Sequence, residues 1–160
     1  MHEGERQMLF QHLDRLSGTD LLLMDRGYPS RWLVAALNVR GIGLCMRVQK
    51  AGNAGFACVR DFLRSDEHER IVTLPAPDRR DAEDYECAAT AQTVRLMRHV
   101  ASTGNERFLM TNLLDQATLP AHEFRDLYHQ RWRIEEVSPA VTICSSAPIR
   151  AANTLPPSAL

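Results

Sequence analysis

Two short stretches carry the groups best suited to chemistry: LLLMDRGY, Leu21 to Tyr28, and YHQRWRIEE, Tyr128 to Glu136. Asp25 directly follows an apolar run, Leu21 to Met24, and Glu135 lies on a strongly helical segment. A carboxylate at the end of a buried strand and another on a rigid helix can share a divalent cation, because hard cations such as Mg²⁺ prefer oxygen ligands. Together they look like half of a metal site. Their mutual repulsion would raise one pKa unless a cation is present. Two fixed ligands leave most of an octahedral shell to water, so weak metal binding is expected.

The elements that must position these groups can be read locally. Leu21 to Met24 show no apolar/polar alternation and run into Arg26-Gly27-Tyr28-Pro29-Ser30, which predicts an interior strand, a turn and a helix start. Asp25 then sits at a strand's C-terminal end, where open α/β sheets gather ligands. The alternative is an Asp that closes its own turn. In the second stretch Tyr128, Arg131 and Glu135 are spaced three and four apart, on one helical face, and Phe124 and Leu127 extend that face toward the core. Thr118 and Pro120 supply the start signal for this helix. Arg131 can orient the Glu135 carboxylate or hold a phosphate, and Tyr128 can donate a hydrogen bond. The plainer reading is an amphipathic helix with a surface Arg–Glu pair.

The pattern Tyr-x-x-Arg-x-x-x-Glu in the setting RWRIEE resembles the Tyr-Arg-Glu-Lys signature of DDE transposases of bacterial insertion sequences, the IS-four group, and LLLMDRGY resembles the segment holding that family's second catalytic aspartate. The resemblance runs from Glu3 to Glu136. It implies an α/β, RNase H-like catalytic core, partial here, with a β-rich insertion at about 49–107 between the second Asp and the Glu helix. It also implies two-metal phosphoryl transfer with Mg²⁺ or Mn²⁺. By resemblance Asp25 and Glu135 are catalytic metal ligands. Tyr128 and Arg131 match the DNA-phosphate contacts of the signature. The implied partner is double-stranded DNA at transposon ends, together with a second copy of the chain or a full-length transposase.

The chain departs from the family pattern at both ends. The strand bearing the first aspartate is not among residues 1–160, and seven residues beyond Glu135 stands Thr142 instead of the signature Lys. Lys50 is the only lysine. After Val137-Ser138-Pro139 the chain turns rich in Ala, Ser and Pro, so 137–160 is expected to be disordered or the product of a frameshift, and the chain inactive alone. Loss of the first strands would leave the edge beside the Asp25 strand unpaired and prone to aggregation. Two other readings stay open: a non-enzymatic remnant that binds DNA or a transposase, and an unrelated RNase H-like nuclease with a third carboxylate in this chain.

Composition permits one domain with a real core and excludes little else: 160 residues, 19 basic, 20 acidic, net charge −1. Without a global basic field, DNA binding must rest on local clusters. Arg26 and Arg31 lie near Asp25, and Arg125, Arg131 and Arg133 lie on the late helix. Arg79-Arg80, followed by Asp81, Glu83 and Asp84, reads as a solvated loop. The cysteines, Cys45, Cys58, Cys87 and Cys144, form no C-x-x-C pair, so a zinc site is not expected, and a cytoplasmic protein without a membrane span is.

The expected order is a helix over His2–Leu16, the Asp25 strand, a helix from Pro29-Ser30 that stops before Gly41, and a strand at Gly43–Val48. Short strands follow at Val59–Leu63, Arg70–Leu74, Tyr85–Ala89 and Thr93–Met97, folding aside as the insertion. A last strand, Phe108–Leu113, leads to the Glu135 helix.

Overall fold

The computed structural model describes residues 3–24, 30–48, 56–134 and 141–145, with the side chains of 8–24, 30–48 and 56–128. The chain is α/β, and its order is α1 (Glu3–Leu13), β1 (Asp20–Met24), α2 (Arg31–Val39), β2 (Gly43–Val48), α3 (Ala57–Arg64), β3 (Glu69–Leu74), α4 (Arg79–Asp84), β4 (Gln92–Val100), β5 (Glu106–Thr111), α5 (Ala121–Ile134) and β6 (Val141–Ser145). The strands form one sheet in the order β3-β4-β5-β2-β1-β6. β1 and β2 are parallel and joined through α2, while the other pairings are antiparallel.

The unbroken apolar run of β1 is explained by burial on both faces. Leu22 and Met24 join the core formed with α1, α2 and α3, whereas Leu21 and Leu23 join a second core beneath α5. A strand with helices on both sides has no solvent face on which to place polar residues, so alternation disappears. β2 and β5 follow the same rule: Leu44, Met46, Phe108 and Met110 face the first core, Cys45 and Leu109 the second.

Local signals set the ends of α2. The Ser30 hydroxyl accepts from the Leu33 N–H at 3.3 Å. At the other end Ile42 N–H donates to Leu37 O (2.9 Å) and Gly41 N–H to Asn38 O (3.1 Å), with Gly41 at φ 66°. This Schellman arrangement needs a left-handed residue just past the helix, a conformation that glycine adopts without a Cβ clash. A chain of amides then ties α2 to the sheet: Asn112 donates to Asn38 Oδ1 (2.7 Å) and Ile42 O (2.9 Å), and Asn38 donates to Gln92 Oε1 (2.7 Å).

Several expectations are corrected. Val59–Leu63 is helical: Val59, Phe62 and Leu63, three and four apart, are the buried stripe of α3. Tyr85–Ala89 is a turn after α4, with Glu86 at φ 48°, and Arg79-Arg80 lie in that helix, not in a loop, braced by Arg79–Glu83 and Arg80–Asp84 pairs. β3 and β4 do not fold aside; they continue the sheet beyond β2 and β5, because the inward residues Val72, Val94 and Leu96 share the core with Leu44 and Met46.

The tail expected to be disordered contains a strand at 141–145. β6 pairs antiparallel with β1, Val141 opposite Met24 and Ser145 opposite Asp20, so the β1 edge expected to be bare is covered. The β-branched Val141-Thr142-Ile143 run suits that role. A chain ending at Ala140 is therefore expected to aggregate where the full chain does not, as a shift to the void volume in size-exclusion chromatography with light scattering. A monomer of unchanged melting temperature would show that β6 contributes nothing to the edge.

Candidate functional site

The elements expected to carry the two carboxylates meet in the structure. The Tyr128 hydroxyl of α5 donates to the backbone carbonyl of Met24, the last residue of β1, at 3.4 Å. Tyr128 is 3 % exposed, so this contact lies inside the interface between helix and sheet. Asp25 is the next residue after Met24. Ile134, the last residue of α5, is six residues beyond Tyr128, about 9 Å along a helix axis, and Glu135 follows it.

The approach of α5 is prepared before its first turn. Asp115 closes the lead-in: its carboxylate accepts from the backbone N–H groups of Ala117 (3.0 Å) and Thr118 (3.1 Å) and from the Thr118 hydroxyl (2.6 Å). These bonds, the Thr118 hydroxyl first among them, hold the Asp115 carboxyl below its ordinary pKa. Leu119 then enters the second core with Phe124 and Tyr128.

Arg95 of β4 fastens that segment to the sheet. Its side chain is fully buried: Nη1 donates to Leu119 O at 2.6 Å, Nε donates to Glu69 of β3, and the guanidinium carbon lies 5.5 Å from the centre of the Phe124 ring. One charge thus joins two strands to the start of α5. Its Nη2 finds no hydrogen-bond partner among the described residues. The strand pattern Val94-Arg95-Leu96-Met97 contained this feature as an inward-facing cation, but its partners are remote in sequence and sequence reasoning missed it.

The remaining site residues are distributed as follows. Asp25, Arg26 and Glu135 lie outside the described residues. Arg131 and Arg133 belong to α5, three and five residues past the Tyr128 contact, but their side chains are outside the described set. Arg31 is committed elsewhere, donating to Ala76 O (2.9 Å) and Asp78 (3.0 Å). Asp20 caps its own turn, accepting from the Ser17 N–H at 2.8 Å and from the Ser17 hydroxyl at 3.2 Å. Among the described residues no group of three or more His, Cys, Asp or Glu is placed to hold a metal ion. No helix among them is long and apolar enough to cross a membrane.

With this arrangement established, the comparisons with known proteins are decisive for the family. The family model for the transposase DDE domain matches residues 2–138. The chain belongs to that family. It is similar to the transposase InsG for insertion sequence element IS4 of Escherichia coli (strain K12), with 26 % identity over 135 residues, which covers 84 % of this chain. The chain spans 29 % of that relative's length. No solved structure matches it. The transposase resemblance read from RWRIEE and LLLMDRGY is thus borne out at the level of the family.

Three outcomes follow from the packing around this joint. Arg95→Ala would leave the Leu119 carbonyl and the partly exposed Glu69 carboxylate without their cation, at a cost of about 1–3 kcal/mol. Urea unfolding should show this, whereas Tyr128→Phe, which loses a single long hydrogen bond, should cost about 1 kcal/mol or less. Cys45, pushed up to about 12 by burial in β2, should resist alkylation at neutral pH in the folded chain and react only on unfolding, as mass spectrometry of labelled peptides would report.

Proposed function

We propose that the chain is the segment of an IS4-type transposase catalytic domain that carries two of its metal-binding carboxylates, Asp25 and Glu135. In the whole protein it would serve the cleavage and joining of DNA strands during transposition. The observation that carries this reading is the Tyr128–Met24 hydrogen bond, which joins the strand preceding Asp25 to the helix preceding Glu135. The donor chemistry suits Mg²⁺ or Mn²⁺, which take carboxylate oxygens. When bound, such ions activate the attacking water or 3′-hydroxyl and stabilise the leaving oxygen.

The residues of this chain then have separate tasks. Asp25 and Glu135 are the ligands. Arg26, Arg131 and Arg133 contact DNA phosphates. Tyr128, which the signature also assigns to DNA, first positions α5 through Met24. An RNase H-like core accords with the parallel β1–β2 pair, with α2 packed on one face of the sheet and α5 on the other. The strands of the 49–107 interval are then the inserted β element.

By itself the chain binds metal weakly and does not cut DNA. β6 lies along the β1 edge, the edge on which the family resemblance puts the strand of the first aspartate. The same observation favours the alternative of a non-catalytic protein that binds DNA or a transposase in the cytoplasm. Manganese binding followed by electron paramagnetic resonance tests the reading without relying on activity. Asp25→Asn and Glu135→Gln should each weaken binding roughly tenfold or more, with the circular dichroism spectrum unchanged. If both variants retain the wild-type Mn²⁺ affinity, the metal-site assignment fails.

A further inference from the structure

A cleft of about 60 Å³ lies between the β4–β5 hairpin and α5, lined by His99, Val100, Ala101, Arg107, Leu109, Arg125 and Tyr128. Three of these seven, two arginines and a histidine, carry basic side chains, in a protein whose net charge with histidines neutral is −1. Their placement is fixed by register. His99 is directly opposite Arg107 across the hairpin, which turns through Gly104 at φ 81°. Arg125 is half-exposed on α5, one turn before Tyr128, and pairs with its neighbour Asp126 at 3.1 Å. Arg98, which pairs with Glu106 at 3.5 Å, alternates with His99 on the strand and so lies on the opposite sheet face.

The cleft also has a definite position relative to the candidate catalytic joint. Tyr128 both lines it and donates to Met24 O. β5 begins, and β4 ends, at the same end of the sheet as the C-termini of β1 and β2, since Val48 pairs with Phe108 and Met24 with Met46. The basic groups therefore lie beside the strand end that leads into Asp25, on the α5 face. Basic groups on a small, partly apolar pocket concentrate an anion and exclude water from it.

We propose that His99, Arg107 and Arg125 form a phosphate-binding cleft that holds the DNA backbone next to the candidate catalytic end, in addition to the arginines of the signature. The inference deepens the DNA-transposition reading and rests on it. The two arginines supply the charge, and Leu109, Val100 and the Tyr128 ring supply a wall that can face a sugar. Because such contacts are to the backbone, they act on all sequences alike.

The test is fluorescence anisotropy of a labelled short duplex of arbitrary sequence with the full chain in EDTA, repeated over a range of salt. Arg107→Gln and Arg125→Gln should each weaken binding and lower the slope of log K against log salt by about 1. Arg79→Gln in α4 should leave the slope unchanged. Arg125 is half-exposed, so its replacement carries the test if Arg107→Gln fails to fold. An unchanged slope in folded Arg125→Gln, an equal fall in Arg79→Gln, or no duplex binding by the wild type overturns the proposal. Binding of polyglutamate in preference to duplex makes the occupant an acidic polypeptide and overturns it too. EDTA removes the metal from the measurement, so the cleft is read by duplex binding here and the metal site by Mn²⁺ binding, and the two can fail independently.

Discussion

Burial of β1 on both faces is the constraint from which the rest of the arrangement follows. Its five residues are all buried, with successive side chains committed to opposite cores. Each face removes roughly 2 kcal/mol of exposed apolar surface per large side chain, so neither can stay open. The first face is covered by α2, which the βαβ connection delivers there. The second needs α5, almost a hundred residues away in sequence. Covering Leu21 and Leu23 is what draws the helix that precedes Glu135 over the strand that precedes Asp25. On the function proposed above, the packing requirement and the chemical requirement would be met by the same contact.

Arg95 shows how that contact is held in register. An apolar residue at this position would fill the second core, but it would let α5 slide. A guanidinium is directional, and here it reads a backbone carbonyl, a carboxylate and a ring face at once. Burying it is unfavourable in itself, more so with Nη2 lacking a partner among the described residues. Its presence therefore argues for specificity of position above raw stability.

Much of the central fold was legible because its signals are local. Leu21–Met24 announced a doubly buried strand, and Ser30 and Gly41 bounded α2. Thr118 and Pro120 opened the late helix. The errors arose where a short apolar cluster fits two periods. Val59, Phe62 and Leu63 fall within five residues, and only the burial of that stripe on the β2–β5 sheet shows the helical spacing. The docking of α5 on β1 could be expected from the two motifs. The basic cleft could not, because the strand reading stopped at Met97, before His99, and the pairing of His99 with Arg107 depends on a hairpin register set around Gly104.

β6 is the least expected element and bears on the chemistry most directly. A strand with two neighbours has no hydrogen-bonding edge left, so β1, held by β2 on one side, can accept one partner on the other. Val141, opposite Met24, places that partner beside the strand end leading into Asp25. Any other strand seeking this edge would need the same row of N–H and C=O groups, and the two cannot be satisfied together. The edge is therefore a choice between closure and completion. Six residues, 135–140, connect α5 to β6, and such a tether gives the local strand a high effective concentration. A competing strand must be favoured by other contacts before it can displace β6.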